Sequence, residues 1–137
     1  MALMARIPEA DLLLAVMGAP HASDLATSVL RIAEAVVGQG GRVQVWTCGY
    51  ATMLTQASLG AAKPRNVVDW SRDYPSTAAV VRDLIAASAG ALSWYSCRFC
   101  GEERGVTAHI PEVRVRPPFK FGEHVAAARK TLFTGVI

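Results

Sequence analysis

The sequence predicts an α/β domain: a mostly parallel sheet of about five strands, with helices on both faces in a flavodoxin-like layering. Three observations carry this. The apolar run "DLLLAVMG" (Asp11–Gly18) has strand length and no alternation, as in a strand buried on both faces. A helical stripe follows it, and a second strand-like run follows the helix. The order strand–helix–strand then continues along the chain, and right-handed crossovers place helices on both sides of such a sheet.

After the first strand, "GAPHAS" reads as a loop. "SDLATSVLRIAEAVVGQGG" carries Leu25, Val29, Ile32 and Val36 on one face, with Ser23 as N-cap and Gly38, Gly40 and Gly41 as the stop. "RVQVWTCGY" is the second strand, where Val43, Val45 and Thr47 alternate with Gln44, Trp46 and Cys48. Ala51–Leu59 reads as a short helix. "KPRNVVDWSRDYP" reads as a surface loop with a short strand at Val67–Val68. "STAAVVRDLIAASAG" is a helix capped by Ser76 or Thr77 and stopped by Gly90. "ALSWYS" is a strand that delivers Cys97 at its carboxyl end, and "RFCGEERG" continues as a short helix. "IPEVRVRPPFKFG" is a loop with a short strand at Val113–Val115. "EHVAAARKTLF" is the last helix, and "TGVI" closes the sheet.

The 137 residues are 52% hydrophobic and 18% charged, which predicts one compact domain over 1–137, with residues 1–10 as an N-terminal extension. The net charge of +3 comes from scattered side chains, with no run of five Lys or Arg, so direct nucleic-acid binding has no support. Glu9 and Asp11 interrupt the apolar opening, and the run Leu12–Met17 is too short for a secretory signal or a membrane span. The expected location is cytoplasmic, with no membrane association. Three cysteines, an odd number, do not make a disulfide framework.

In open α/β sheets, reactive groups collect at the carboxyl ends of the strands. Three loops meet there: "GAPHAS", "CGYATM" and "SCRFC". Cys97 and Cys100 therefore stand where chemistry is expected. They read as a metal clip, a redox pair, a sulfur-handling site or two buried thiols. A zinc site needs more ligands, and His21, His109 and His124 lie far apart in sequence, so no metal is expected. Thioredoxin-like chemistry places its CxxC after the first core strand, whereas this pair lies in the last third of the chain. A helix N-terminus after Cys97 predicts a more acidic thiol there than at Cys48. His21 could move a proton near the thiol. Arg98 and Arg104 could hold its anion, or pair instead with Glu102 and Glu103. Cys48 ends the second strand, where it either approaches Cys97 across the strand ends or serves as a packing thiol, the commoner role of a buried cysteine. No P-loop, GxGxxG, GxSxG or HExxH occurs, so no nucleotide cofactor or hydrolase chemistry is indicated.

The stretch "LLLAVMGAPHASDLATSVLRIAEAVVGQGGRVQVWTCGY" resembles the opening of the DsrE-like sulfur-relay family, which includes the TusD-type carriers. That family's functional cysteine ends a later strand, eight residues before the Gly of an Arg-Gly-Val sequence. Here Cys97 precedes Arg104-Gly105-Val106 with that spacing. The closing "FGEHVAAARKTLFTGVI" looks like the family's final helix and strand. The resemblance implies an intracellular sulfur carrier or sulfurtransferase that holds a persulfide on Cys97. It also implies sulfur-donor and sulfur-acceptor protein partners, in relays for tRNA thiolation or in sulfur oxidation. Assembly would be a trimer or hexamer, alone or with related subunits. Cys100 departs from the TusD-type pattern: it could attack a Cys97 persulfide and release sulfide, or form a disulfide with Cys97. Two other readings stay open, a non-catalytic scaffold or ligand-binding subunit and a dithiol redox protein using Cys97 and Cys100. Met53, Leu54, Phe119 and Phe121 are the apolar side chains expected at an assembly surface.

Overall fold

A computed structural model of the chain describes residues 6–63, 68 and 71–135. Its centre is a five-stranded sheet of β1 (Ala10–Val16), β2 (Val43–Thr47), β3 (Leu92–Cys97), β4 (Val113–Arg116) and β5 (Ala128–Thr134). The order across the sheet is β4-β3-β2-β1-β5, and every neighbouring pair is parallel. The α-helices are α1 (Leu25–Gly38), α2 (Thr77–Ala87), α3 (Arg98–Glu103) and α4 (Phe121–Ala127).

The inner strands are apolar runs because both of their faces are covered. All five residues of β2 are buried. On one face, Leu14, Val16, Val43, Val45, Leu92 and Trp94 pack against Val29 and Ala33 of α1 and Ala78 and Val81 of α2. On the other, Leu13, Trp46, Tyr95 and Cys97 form a smaller cluster, with Phe121 at the start of α4 packed on it. Each fully buried Leu or Val contributes about 1.5–3 kcal/mol relative to exposure, so the larger face supplies most of the apolar driving force.

Helix termini follow the local chemistry closely at α2 and less so at α1. Ser76 caps α2: its Oγ accepts from the Ala79 N–H at 3.1 Å and donates to the Gly60 carbonyl at 2.7 Å. At α1 the N-cap is Asp24, without a side-chain cap bond, and the Ser23 Oγ accepts from the Leu25 N–H at 3.3 Å instead. Gly40, at φ 86°, turns the chain out of α1 as expected. Ala51–Leu59 is not α-helical: it forms two 3₁₀ segments, Gly49–Thr55 and Ala57–Leu59. The strand expected at Val67–Val68 lies partly outside the described residues, and Val68 is exposed.

The largest correction is at the carboxyl end. Helical spacing continues through "EHVAAARKTLF", but α4 stops at Ala127 and Ala128–Thr134 becomes β5. The free edge of β1 decides this. It pairs with β5 from Ala10↔Ala128 to Val16↔Thr134, and Thr131 and Phe133 suit a strand better than a helix. Val136 and Ile137 lie outside the described residues, as do residues 1–5 of the expected amino-terminal extension; Ala10 already belongs to β1.

One buried polar contact ties α4 to the sheet. His124 is wholly buried, with its ring centroid 5.2 Å from Trp46 and 4.3 Å from Tyr95. Gln44 Nε2 donates to the Pro8 carbonyl at 2.6 Å, so its Oε1 is the acceptor that meets His124 Nδ1 at 2.8 Å. His124 is thus the Nδ1–H tautomer. Burial, assisted by the Arg116 charge and opposed by Glu123, pushes its pKa down from 6.5 to about 4. The unfolded chain therefore binds a proton here at higher pH than the native chain. The stabilisation is complete above pH 6.5 and is lost as the pH falls toward 4. Denaturant unfolding between those limits should lose roughly 2–3 kcal/mol of stability from this group. His124→Gln should flatten the slope, and a slope unchanged by that substitution would sink the assignment.

Candidate functional site

The parallel register of β2 and β3 builds the site. Thr47 pairs with Ser96, so the next positions, Cys48 and Cys97, stand side by side at the carboxyl edge. The Cys48 N–H donates to the Val16 carbonyl at 2.9 Å, which keeps it in line with the sheet. Cys97 is both the last residue of β3 and the N-cap of α3. Cys100 follows on α3. Cys48 and Cys100 pack against the cluster that contains Cys97, and the Cys100 thiol interacts with both of the others. All three cysteines are free thiols.

The Arg-Gly-Val sequence has a structural job in this arrangement. The Val106 N–H donates to the Gly101 carbonyl at 2.8 Å, and the Gly105 N–H to the Glu102 carbonyl at 3.3 Å. This is a Schellman closure of α3, and Gly105 supplies the φ of 72° that it needs. The closure fixes a helix too short to persist alone. The spacing from Cys97 to Gly105 is therefore the length of one strand end, one short helix and its cap.

Burial dominates the electrostatics. Cys97 is only 2% exposed. Desolvation pushes its thiol pKa up; the backbone N–H groups of Cys100 and Phe99 pull down, and the Cys100 thiol adds to the rise. The pull expected from the helix N-terminus is present at Cys97 but does not bring its thiol below the ordinary value. The cap position is real, but the sulfur makes no capping hydrogen bond, and desolvation outweighs the N–H groups. Cys48 is pushed up to about 11, mainly by burial, against the opposing pull of a hydrogen bond from Trp46. In that bond the indole Nε1–H donates to the Cys48 sulfur at 3.0 Å.

The other expected site residues are not brought to the sulfur atoms. Arg104 Nη1 donates to the Cys100 carbonyl at 3.1 Å and pairs with Glu103 at 3.2 Å, while its guanidinium lies 4.6 Å over the Tyr50 ring. It holds the backbone of the site. Arg98 faces Glu102 at 3.9 Å on the exposed side of α3 and lies over Phe99. His21 is exposed in the loop after β1, at φ 63°, and no hydrogen bond joins it to a thiol among the described residues. Cys48, by contrast, belongs to the thiol cluster. Its signal was present in the sequence, since Trp46 and Cys48 share one face of β2 and meet a cysteine ending the next strand. His124 and Gln44 gave no comparable signal, because their pairing spans 80 positions.

Among the described residues, no group of three or more His, Cys, Asp or Glu is placed to hold a metal ion. A cavity of about 870 Å³ runs from the amino-terminal edge of the sheet along α4, lined by Arg6, Asp11, Arg42, Arg116 and Lys120 among others. No cysteine lines it, so it is separate from the thiol cluster. No helix of the described residues is long and apolar enough to cross a membrane.

No protein-family model matches the chain, and no curated protein matches it. Among solved structures, it is similar to the ychN protein from E. coli, with a TM-score of 0.72 over 93% of this chain and 100% of that one. The two share an α/β fold, built here on five parallel strands. At 17% identity the likeness shows the fold alone. It agrees with the α/β order of elements and with the mostly parallel sheet of about five strands expected from the sequence.

The burial pattern sets an order of thiol reactivity. Cys100 is only partly buried, so a small alkylating reagent at neutral pH should label it ahead of Cys97. Labelling of Cys97 should rise as the pH passes its ordinary value of 9.0. Mass mapping that finds Cys97 labelled first in the folded chain would overturn this account.

Proposed function

We propose that the chain is a sulfur carrier that accepts sulfur as a persulfide on Cys97 and passes it to a partner protein. The observation that carries this reading is the position of Cys97. It ends a central strand at the carboxyl edge of a DsrE-like sheet, and it is buried. The Cys97 thiolate would attack the outer sulfur of a donor persulfide and release the donor as a thiol. The raised pKa keeps the resting thiol quiet, and burial shields a stored persulfide from small reductants.

Intact mass after exposure to a persulfide donor tests this. With Cys100→Ser, to remove the neighbouring thiol, the chain should gain about 32 Da on Cys97. Cys97→Ser should gain nothing there while keeping its thermal transition. A Cys97→Ser chain that still loads sulfur would place the acceptor elsewhere. A non-catalytic scaffold would gain nothing in any variant.

The contact between Cys97 and Cys100 favours a second reading, a dithiol redox protein. Such a chain would lose about 2 Da on mild oxidation and carry no added sulfur.

Self-association belongs to the same proposal. Phe119 is 75% exposed and Phe133 is 56% exposed, and Phe133 lies on the open edge strand β5. Of the side chains expected at an assembly surface, Phe119 is exposed, Met53 and Phe121 are half-buried, and Leu54 is buried in the core. Exposed aromatic groups on an unpaired edge favour a homo-oligomer, a trimer or hexamer, or a complex with related subunits. Light scattering at micromolar concentration should show an assembly that Phe133→Glu weakens, and a monomeric parent chain would count against it.

A further inference from the structure

The three thiols lie together: Cys48 and Cys100 both pack against the cluster that holds Cys97, and the Cys100 thiol interacts with both of the others. Cys97 and Cys48 are neighbours on adjacent strands, and Cys48 is fixed by the Trp46 indole at 3.0 Å. Arg98, Arg104 and His21 make no hydrogen bond to a sulfur atom among the described residues. Cys100, on the turn of α3 that follows Cys97, is therefore the nucleophile next to a sulfur atom held on Cys97, and Cys48 is the thiol next to Cys100. A lone resolving thiol would leave Cys97 itself locked in a disulfide. A third thiol in contact with Cys100 gives that disulfide somewhere else to go.

We propose that Cys48 and Cys100 form a disulfide that switches the site between sulfide release and sulfur carriage. The proposal rests on Cys97 as the sulfur acceptor. With Cys48 and Cys100 reduced, sulfur that arrives on Cys97 leaves as hydrosulfide. With Cys48 joined to Cys100, no thiol remains beside Cys97, and the persulfide stays on Cys97 for transfer.

Each step balances. The Cys100 sulfur attacks the inner sulfur of the Cys97 persulfide. The Cys97–Cys100 bond forms, the bond to the outer sulfur breaks, and that sulfur departs as hydrosulfide with the electron pair. The outer sulfur is reduced by two electrons, and the two thiols are oxidised to a disulfide. The Cys48 sulfur then attacks Cys100, the Cys48–Cys100 bond forms, and Cys97 leaves with the electron pair and takes up the proton lost by Cys48. This exchange needs no oxidant. Resetting the reduced site takes an external dithiol reductant. Contact between the groups raises their effective concentration, which offsets the poor nucleophilicity of a Cys48 kept protonated by burial. The exchange is consequently the slow step.

The test uses the full reduced chain and glutathione persulfide as the probe. The first equivalent should release hydrosulfide and leave the chain about 2 Da lighter, with peptide mapping finding a Cys48–Cys100 disulfide. A second equivalent should then load Cys97 and leave the chain about 30 Da heavier than the reduced form. Cys48→Ser and Cys48→Ala should release the first hydrosulfide, stop at a Cys97–Cys100 disulfide and refuse the second sulfur. Their thermal transitions check that they fold. Cys100→Ser should release none and gain about 32 Da at once. Should the Cys48 variants take the second sulfur as readily as the parent, or the parent map only to Cys97–Cys100, the switch is overturned and the carrier reading survives. If Cys100→Ser gains no sulfur, the carrier reading falls and the switch falls with it.

Discussion

The pairing of β2 with β3 is the constraint on which the rest of the site depends. Five residues of each strand run in parallel register, from Val43↔Leu92 to Thr47↔Ser96. In a parallel pair, side chains at matched positions face the same way. That single fact stacks Trp46 beside Tyr95 and carries Cys48 to the side of Cys97. A slip of one residue would send the cysteines to opposite faces and expose the two aromatic rings. The register is protected by the apolar side chains that it buries on both faces, so the thiol cluster inherits its geometry from the core.

The smaller face of the sheet shows what that geometry costs. It holds few aliphatic side chains and instead buries polar groups, Gln44, His124 and the Cys97 thiol, with Cys48 and Cys100 half-buried beside them. A buried polar group is tolerated when it is hydrogen-bonded, and His124 and Gln44 satisfy each other and the Pro8 carbonyl. Among the described residues His124 Nε2 has no such partner, and burial favours the neutral ring. Cys97 and Cys48 face the same low-polarity surroundings, and for them the consequence is suppressed ionisation. The helix N-terminus at Cys97 acts in the opposite direction but is weaker, because α3 has only six residues and the sulfur makes no capping bond. The site is built to keep sulfur sheltered more than to make a free thiolate.

Sequence and structure agree best where local chemistry and tertiary demand coincide. Ser76 caps α2, the run that became β1 is apolar almost throughout, β2 alternates as its residues suggest, and Cys97 closes β3. At the carboxyl end they diverge. "EHVAAARKTLF" has helical spacing throughout, yet β1 has an unpaired edge, and a strand there satisfies a row of backbone N–H and C=O groups. That gain is non-local, so no window of sequence around Ala128 contains it. Cys48 was left between two roles for a related reason. Its type and strand position indicated packing, and only the neighbour supplied by β3 makes it part of a cluster.

The sequence by itself determined the α/β class, a mostly parallel sheet implied by alternating elements, and the placing of Cys97 at a strand end before a short helix. These follow from periodicity and from capping chemistry, both of which act over a few neighbouring residues. Only the tertiary structure decided which thiols touch, that burial would raise the Cys97 pKa, and that the arginines of α3 would turn away from the sulfur. Those outcomes depend on register between strands separated by more than forty positions and on how much water the packed faces exclude, and both are properties of the folded chain as a whole.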